Sequence, residues 1–147
     1  MSKQKLIFSI EIKAPKEKIW NVLLQDDTYR KWTSAFCEGS YAEGSWDEGS
    51  KMLFKTPQGD GMVSRIILNR PNEIITMEHY GILKDNVEDL ESEEVKKWSG
   101  SKESYKLEPN GSKTKLIVEV DITDEYAEWF KKTWEKALAE VKELSEA

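Results

Sequence analysis

Residues 124–147, DEYAEWFKKTWEKALAEVKELSEA, read as one long amphipathic helix. Tyr126, Phe130, Trp134, Ala137, Leu138, Val141 and Leu144 recur at the three- and four-residue spacing of a single helical face, with Lys and Glu on the other. Thr123 or Asp124 is placed to cap its start, and Glu125 and Glu128 suit the positive end of the helix dipole. An apolar stripe of this breadth needs a surface to lie against, and the chain before it consists mostly of strand patterns.

Working outward from that helix, residues 113–123 and 101–108 alternate apolar and polar side chains on either side of a turn at Pro109-Asn110-Gly111. In the later of the two, Leu116, Val118, Val120 and Ile122 face one way. Residues 62–69 and 73–83 form another pair, broken at Arg70-Pro71-Asn72, and residues 51–56 place Met52 and Phe54 on one face. Gly39, Gly44, Gly49, Gly59 and Gly61 punctuate the middle of the chain as in a meander with tight turns. At the front, Leu6, Phe8, Ile10 and Ile12 alternate with exposed positions. Pro15 then stands at the expected first helical position, ahead of a short helix over residues 16–24 with Ile19, Trp20, Leu23 and Leu24 on one face. Asp26-Asp27 opens a second short helix through Trp32. Residues 84–100, acidic at Asp85, Glu88, Asp89, Glu91, Glu93 and Glu94, read as a loop anchored by Trp98: either a solvated loop or a lid over a cavity mouth.

A chain of 147 residues fits one domain, residues 1–147, and is long enough to bury a core without disulfides or a structural metal. Six Trp, five Tyr and four Phe supply bulk to an otherwise modest apolar fraction of 38%. A formal net charge of −6 without a dense Lys/Arg stretch argues against nucleic acid and against anionic membrane surfaces. Cys37, the single cysteine, allows no internal disulfide, and one Cys with one His leaves no conventional zinc site. The acidic loop lacks the spacing of a calcium loop. Neither metal nor cofactor is expected. The polar N-terminus shows no signal peptide and no apolar run spans a membrane, so a cytoplasmic location is the default expectation.

Strand, two short helices, a run of strands and one long helix is the helix-grip order of START-like and Bet v 1-like (SRPBCC) domains. The local sequence resembles the branch related to the C-terminal domain of the activator of Hsp90 ATPase. Residues 12–20 (IKAPKEKIW), Trp32, residues 44–51 (GSWDEGSK), residues 74–79 (IITMEH) and residues 134–138 (WEKAL) carry the likeness, which covers nearly the whole chain. It implies an α+β fold, a curved antiparallel sheet wrapped around the C-terminal helix, with a cavity between them. Members of the superfamily bind lipids, sterols, polyketides or other hydrophobic molecules, and some are cyclases or other enzymes; fold alone does not choose among these. The co-chaperone carries a further N-terminal domain for which this chain has no room, which argues against direct Hsp90 activation.

The residues expected to line the cavity are Trp32, Phe36, Trp46, Phe54, Met62, Met77, His79, Tyr105, Tyr126, Trp129, Phe130 and Trp134. Aromatic and Met side chains also fill cores, so each has an alternative as plain packing. Arg65, Glu78, Glu103 and Tyr105 are the polar strand residues that could orient a guest. His79 invites a catalytic role, but a lone strand histidine is commonly structural, and no catalytic residue is assigned. Gly-x-Gly-x-x-Gly, Walker and Gly-x-Ser-x-Gly motifs are absent. The expected function is binding of a small hydrophobic or amphipathic molecule. The alternatives are a cyclase- or hydrolase-like enzyme using His79, Glu78 or Arg65, and an Hsp90-type co-chaperone or adaptor with a possible chaperone partner. Ligand identity and oligomeric state are left open.

Overall fold

The alternation at the front of the chain builds strand β1 (Lys3–Ile12), whose Leu6 and Ile12 are buried while Ile7, Ser9 and Glu11 face solvent. The computed structural model describes residues 3–147; Met1 and Ser2, the start of the polar N-terminus, lie outside them. Helix α1 (Lys16–Leu24) follows. Pro15 stands one residue before the position expected of it, extended at φ −70° and ψ 153°, and its carbonyl accepts the N–H of Lys18 at 3.0 Å. Helix α2 (Asp26–Thr33) buries Tyr29, Trp32 and Thr33. The remaining strands are β2 (Tyr41–Gly44), β3 (Lys51–Lys55), β4 (Gly61–Arg70), β5 (Ile74–Lys84), β6 (Val87–Asp89), β7 (Ser101–Asn110) and β8 (Lys113–Thr123).

They form one antiparallel sheet of eight strands in the order β1-β8-β7-β5-β4-β3-β2, with β6 paired to the end of β5. The β4–β5 ladder carries register shifts between Val63 and Ser64 and between Ile66 and Leu68. Bulges of this kind bend a strand and strengthen its twist, which lets the sheet curl around a helix. That helix is α4 (Ala127–Glu146), preceded by a single 3-10 turn, Asp124–Tyr126. It buries Trp134, Ala137, Leu138 and Val141 against the sheet and α1. The architecture is the α+β helix grip.

Two expectations need correction. The long helix begins at Ala127, and neither Thr123 nor Asp124 caps it through a side chain; Asp124 instead accepts a hydrogen bond from Gln4 Nε2 at 2.8 Å. Residues 84–100 are not an irregular loop. Asp85 and Asn86, both at positive φ (50° and 64°), make a two-residue hairpin turn into β6. Helix α3 (Glu93–Trp98) then starts on Ser92, whose hydroxyl accepts the N–H of Val95. A Cβ on Gly81 would meet Leu90 at 2.3 Å, so the segment is packed down on the sheet. Among the described residues no helix is long and apolar enough to cross a membrane.

Candidate functional site

The C-terminal half of α4 lies close on the sheet, and under its N-terminal half the two separate. Trp134 marks the boundary. It is 2% exposed and meets Phe36, Trp32, Phe8 and Tyr105 at ring-centroid distances of 5.0, 5.8, 6.0 and 6.0 Å. Beyond it opens a hollow of about 280 Å³. Its walls are Tyr29, Trp32 and Phe36 from α2 and the turn after it, Phe54 from β3, and Met62 from β4. Glu103 and Tyr105 from β7, with Trp129, Phe130 and Trp134 from α4, are further parts of its wall. A second hollow of about 180 Å³ lies toward the end of the sheet, lined by His79, Trp98, Tyr126 and the β8 residues Val120 and Ile122. Met62, Glu103 and Phe130 line both.

The polar groups form a chain across this shared wall. Ser64 Oγ lies 2.6 Å from His79 Nδ1, His79 Nε2 lies 3.2 Å from Glu103 Oε1, and Tyr105 donates its hydroxyl proton to Glu103 Oε2. A carboxylate offers only acceptors, so the proton shared with Glu103 sits on Nε2, and Nδ1 of a neutral ring accepts from Ser64. Burial, and next the charge of Glu103, push the Tyr105 phenol well above its ordinary value; Tyr29 is raised by the same two causes in the same order. Both phenols therefore stay protonated as donors.

A Ser–His–Glu series has the membership of a hydrolytic triad, but Ser64 is fully buried and lines neither hollow. A nucleophile must reach its substrate, so the chain acts as a brace that fixes Glu103. Nor do the polar residues of the enzyme reading converge. His79 faces the hollow, while Arg65 is exposed on the outer face, its guanidinium 5.3 Å from the Tyr80 ring, and Glu78 lies opposite it across the β4–β5 ladder. Lys55 lines the larger hollow near Tyr41 and pairs with Glu43 at 3.8 Å. Among the described residues no three of His, Cys, Asp or Glu gather as metal ligands would.

Of the twelve residues expected from sequence, ten line one or both hollows. Met77 and Trp46 stand outside them: Met77 is fully buried in the core, and Trp46 packs on Tyr29 and Phe54 at 5.7 and 5.9 Å. Trp129 and Tyr126 are about half exposed at the openings (51% and 55%). Tyr29 is missing from the sequence list, although Tyr29, Trp32, Thr33 and Phe36 repeat at helical spacing and all four line the larger hollow. Glu103 shares the face of Tyr105 by strand alternation.

Residues 13–146 match the model of the "Activator of Hsp90 ATPase homolog 1-like protein" family. The chain belongs to that family. Among solved structures, the Aha1 dimer from Colwellia psychrerythraea is 24% identical, covers 97% of this chain and 96% of its own, and superposes with a TM-score of 0.72. A protein from Mesorhizobium loti is 14% identical over 96% of each chain, also at 0.72. CalU16 from Micromonospora echinospora is 16% identical over 97% of this chain and 76% of its own, at 0.68. At these identities the likeness establishes the helix grip and leaves the ligand open. No curated protein matches the sequence significantly.

Proposed function

We propose that this family member binds a small, mostly apolar molecule in the hollow between sheet and α4, without covalent chemistry. The observation that carries the reading is the larger hollow itself, about 280 Å³ walled mainly by aromatic rings with a few polar groups among them. Ligand sites have this form, and this one lies just below the usual range, roughly 300–1,000 Å³. A mono- or bicyclic guest suits it better than a sterol or a diacyl lipid. A guest burying about 200 Å² of apolar surface gains about 5 kcal/mol before ordering costs. Entry past Trp129 and the turn after α2 fits their position at the opening. Native mass spectrometry of freshly purified protein, with Trp fluorescence titration against a panel of lipids and small aromatics, tests the reading. A retained mass or saturable quenching supports it; no bound mass and no quenching by any member refutes it.

Family membership favours a second reading, docking on an Hsp90-type chaperone. It predicts a changed ATPase rate when this chain is added to Hsp90, and a rate unchanged at saturating protein removes it. The large exposed apolar side chains, Ile7, Ile67, Val87, Leu90, Tyr126 and Trp129, are distributed over several elements.

A further inference from the structure

Glu103 is an unusual wall for an apolar hollow. It lines both hollows, its side chain is 17% exposed, and among the described residues the basic side chain beside it is His79, as a hydrogen-bond donor, rather than a Lys or Arg. The basic side chain in the larger hollow, Lys55, is paired with Glu43. Each carboxylate oxygen already holds one wall donor, His79 or Tyr105, and each has a second acceptor position. Glu103 lines both hollows, so its remaining acceptor positions are the ones a guest there could meet.

A partly desolvated carboxylate is costly unless its acceptors are met. We propose that the hollow selects guests carrying a hydrogen-bond donor, a hydroxyl or a protonated amine, which seats on Glu103 while the rest of the molecule lies among Trp32, Phe36 and Trp134. The inference rests on the ligand-binding reading and names the ligand class. An acceptor-only head, such as an ether, leaves the carboxylate unmet. An anionic head meets its repulsion across an interior of low dielectric, where charges interact strongly. An ammonium gains further from the surrounding ring faces.

The test is isothermal titration calorimetry with probes sharing one bicyclic body: naphthalene, 2-naphthol, 2-naphthylmethylammonium, 2-methoxynaphthalene and 2-naphthoate. At least one donor probe should bind wild type ten-fold or more tighter than the methoxy probe, with naphthoate weakest. If naphthol leads, the donor is a hydroxyl; if the ammonium leads, it is a cation. Equal binding of donor and methoxy probes, or tightest binding of naphthoate, overturns the inference while leaving the hollow as a site. No binding by any probe, naphthalene included, overturns the ligand-binding reading and this inference with it. Glu103→Gln keeps a neutral acceptor but loses the charge, so the donor-over-methoxy ratio should fall several-fold, most for the ammonium, with naphthoate no longer the weakest; an unchanged ratio overturns the inference. Should that variant fold poorly, the wild-type series alone decides.

Discussion

Trp32 and Trp134 make a matched pair whose truncation separates packing from hydrogen bonding. Both are buried, at 1% and 2% exposure, their rings lie 5.8 Å apart, and Tyr105 is 5.9 Å from one and 6.0 Å from the other. Replacing either indole by a phenyl ring removes similar apolar surface, for a shared cost of about 1–2 kcal/mol. The polar atoms differ. Trp32 Nε1 donates to the carbonyl of Leu23 at 3.3 Å, serving one of the carbonyls at the end of α1 that no intrahelical N–H reaches. Among the described residues Trp134 Nε1 is buried without a partner. Trp32→Phe therefore also loses a hydrogen bond, a long one and so at the weak end of about 0.5–1.5 kcal/mol. Trp134→Phe instead removes an orphaned donor and recovers part of a penalty of about 1–3 kcal/mol. Trp32→Phe should thus be the more destabilising by about 2 kcal/mol. Urea unfolding followed by far-UV circular dichroism, which does not depend on the replaced fluorophores, measures the difference. Equal costs, or a larger cost at Trp134, refute the reasoning and indicate that the Trp134 N–H is satisfied in solution.

Tyr29 and Tyr105 have folded pKa values raised above the ordinary value near 10, so the unfolded chain releases these protons first. Stability from the two phenols is complete below pH 10 and falls as pH rises from there toward the folded values, by roughly 1.4 kcal/mol per pH unit for each; denaturant melts between pH 9 and 11.5 should show a loss that Tyr29→Phe/Tyr105→Phe flattens. Gly61→Ala should cost several kcal/mol and lower the melting temperature sharply, because a Cβ there would lie 1.8 Å from the backbone carbonyl of Phe54, beyond ordinary overpacking at about 1–3 kcal/mol. Ser92→Ala should cost about 1 kcal/mol through loss of the α3 cap, read as faster amide exchange over Glu93–Trp98 with little change elsewhere.

Periodicity made the frame legible. β1, β8 and α4 keep one period each over long stretches with apolar residues on a single face, and that pattern dictates which side faces the core. What stayed hidden has weak local signals. β2 is four residues long and half exposed, so its pairing with β3 comes from neighbours and not from its own sequence. The acidic run over residues 84–100 hides β6 and α3, although Asp85-Asn86 as a turn and Ser92-Glu93-Glu94 as a helix start are present in it. The site divides in the same way. Residue type marks the aromatic set, but Met77 in the core and Met62 on the hollow wall are alike as letters. Which of them meets a void depends on where α4 leaves the sheet.

The polar chain and part of the second hollow's wall trace to one stretch of the sheet. On β4, Ser64 faces His79, and the next paired position sets Val63 against Gly81, so Tyr80 has no partner of its own. Ser64 and His79 continue the register of Ile66 with Met77 and Arg65 with Glu78, so they share the inner face at hydrogen-bonding distance, and His79 reaches Glu103 on the other side of β5. The irregularity at Tyr80 turns Gly81 to the outer face beside Val63, where Leu90 packs against it and ties down the segment that carries Trp98 to the second hollow. One short stretch of the β4–β5 ladder thus carries a bulge that adds to the sheet's twist, the brace behind Glu103 and the packing of the segment that forms part of one hollow's wall. Glu103 is held by donors from two strands, β5 and β7, so it is better probed by changing its own side chain than by changing the strands that hold it.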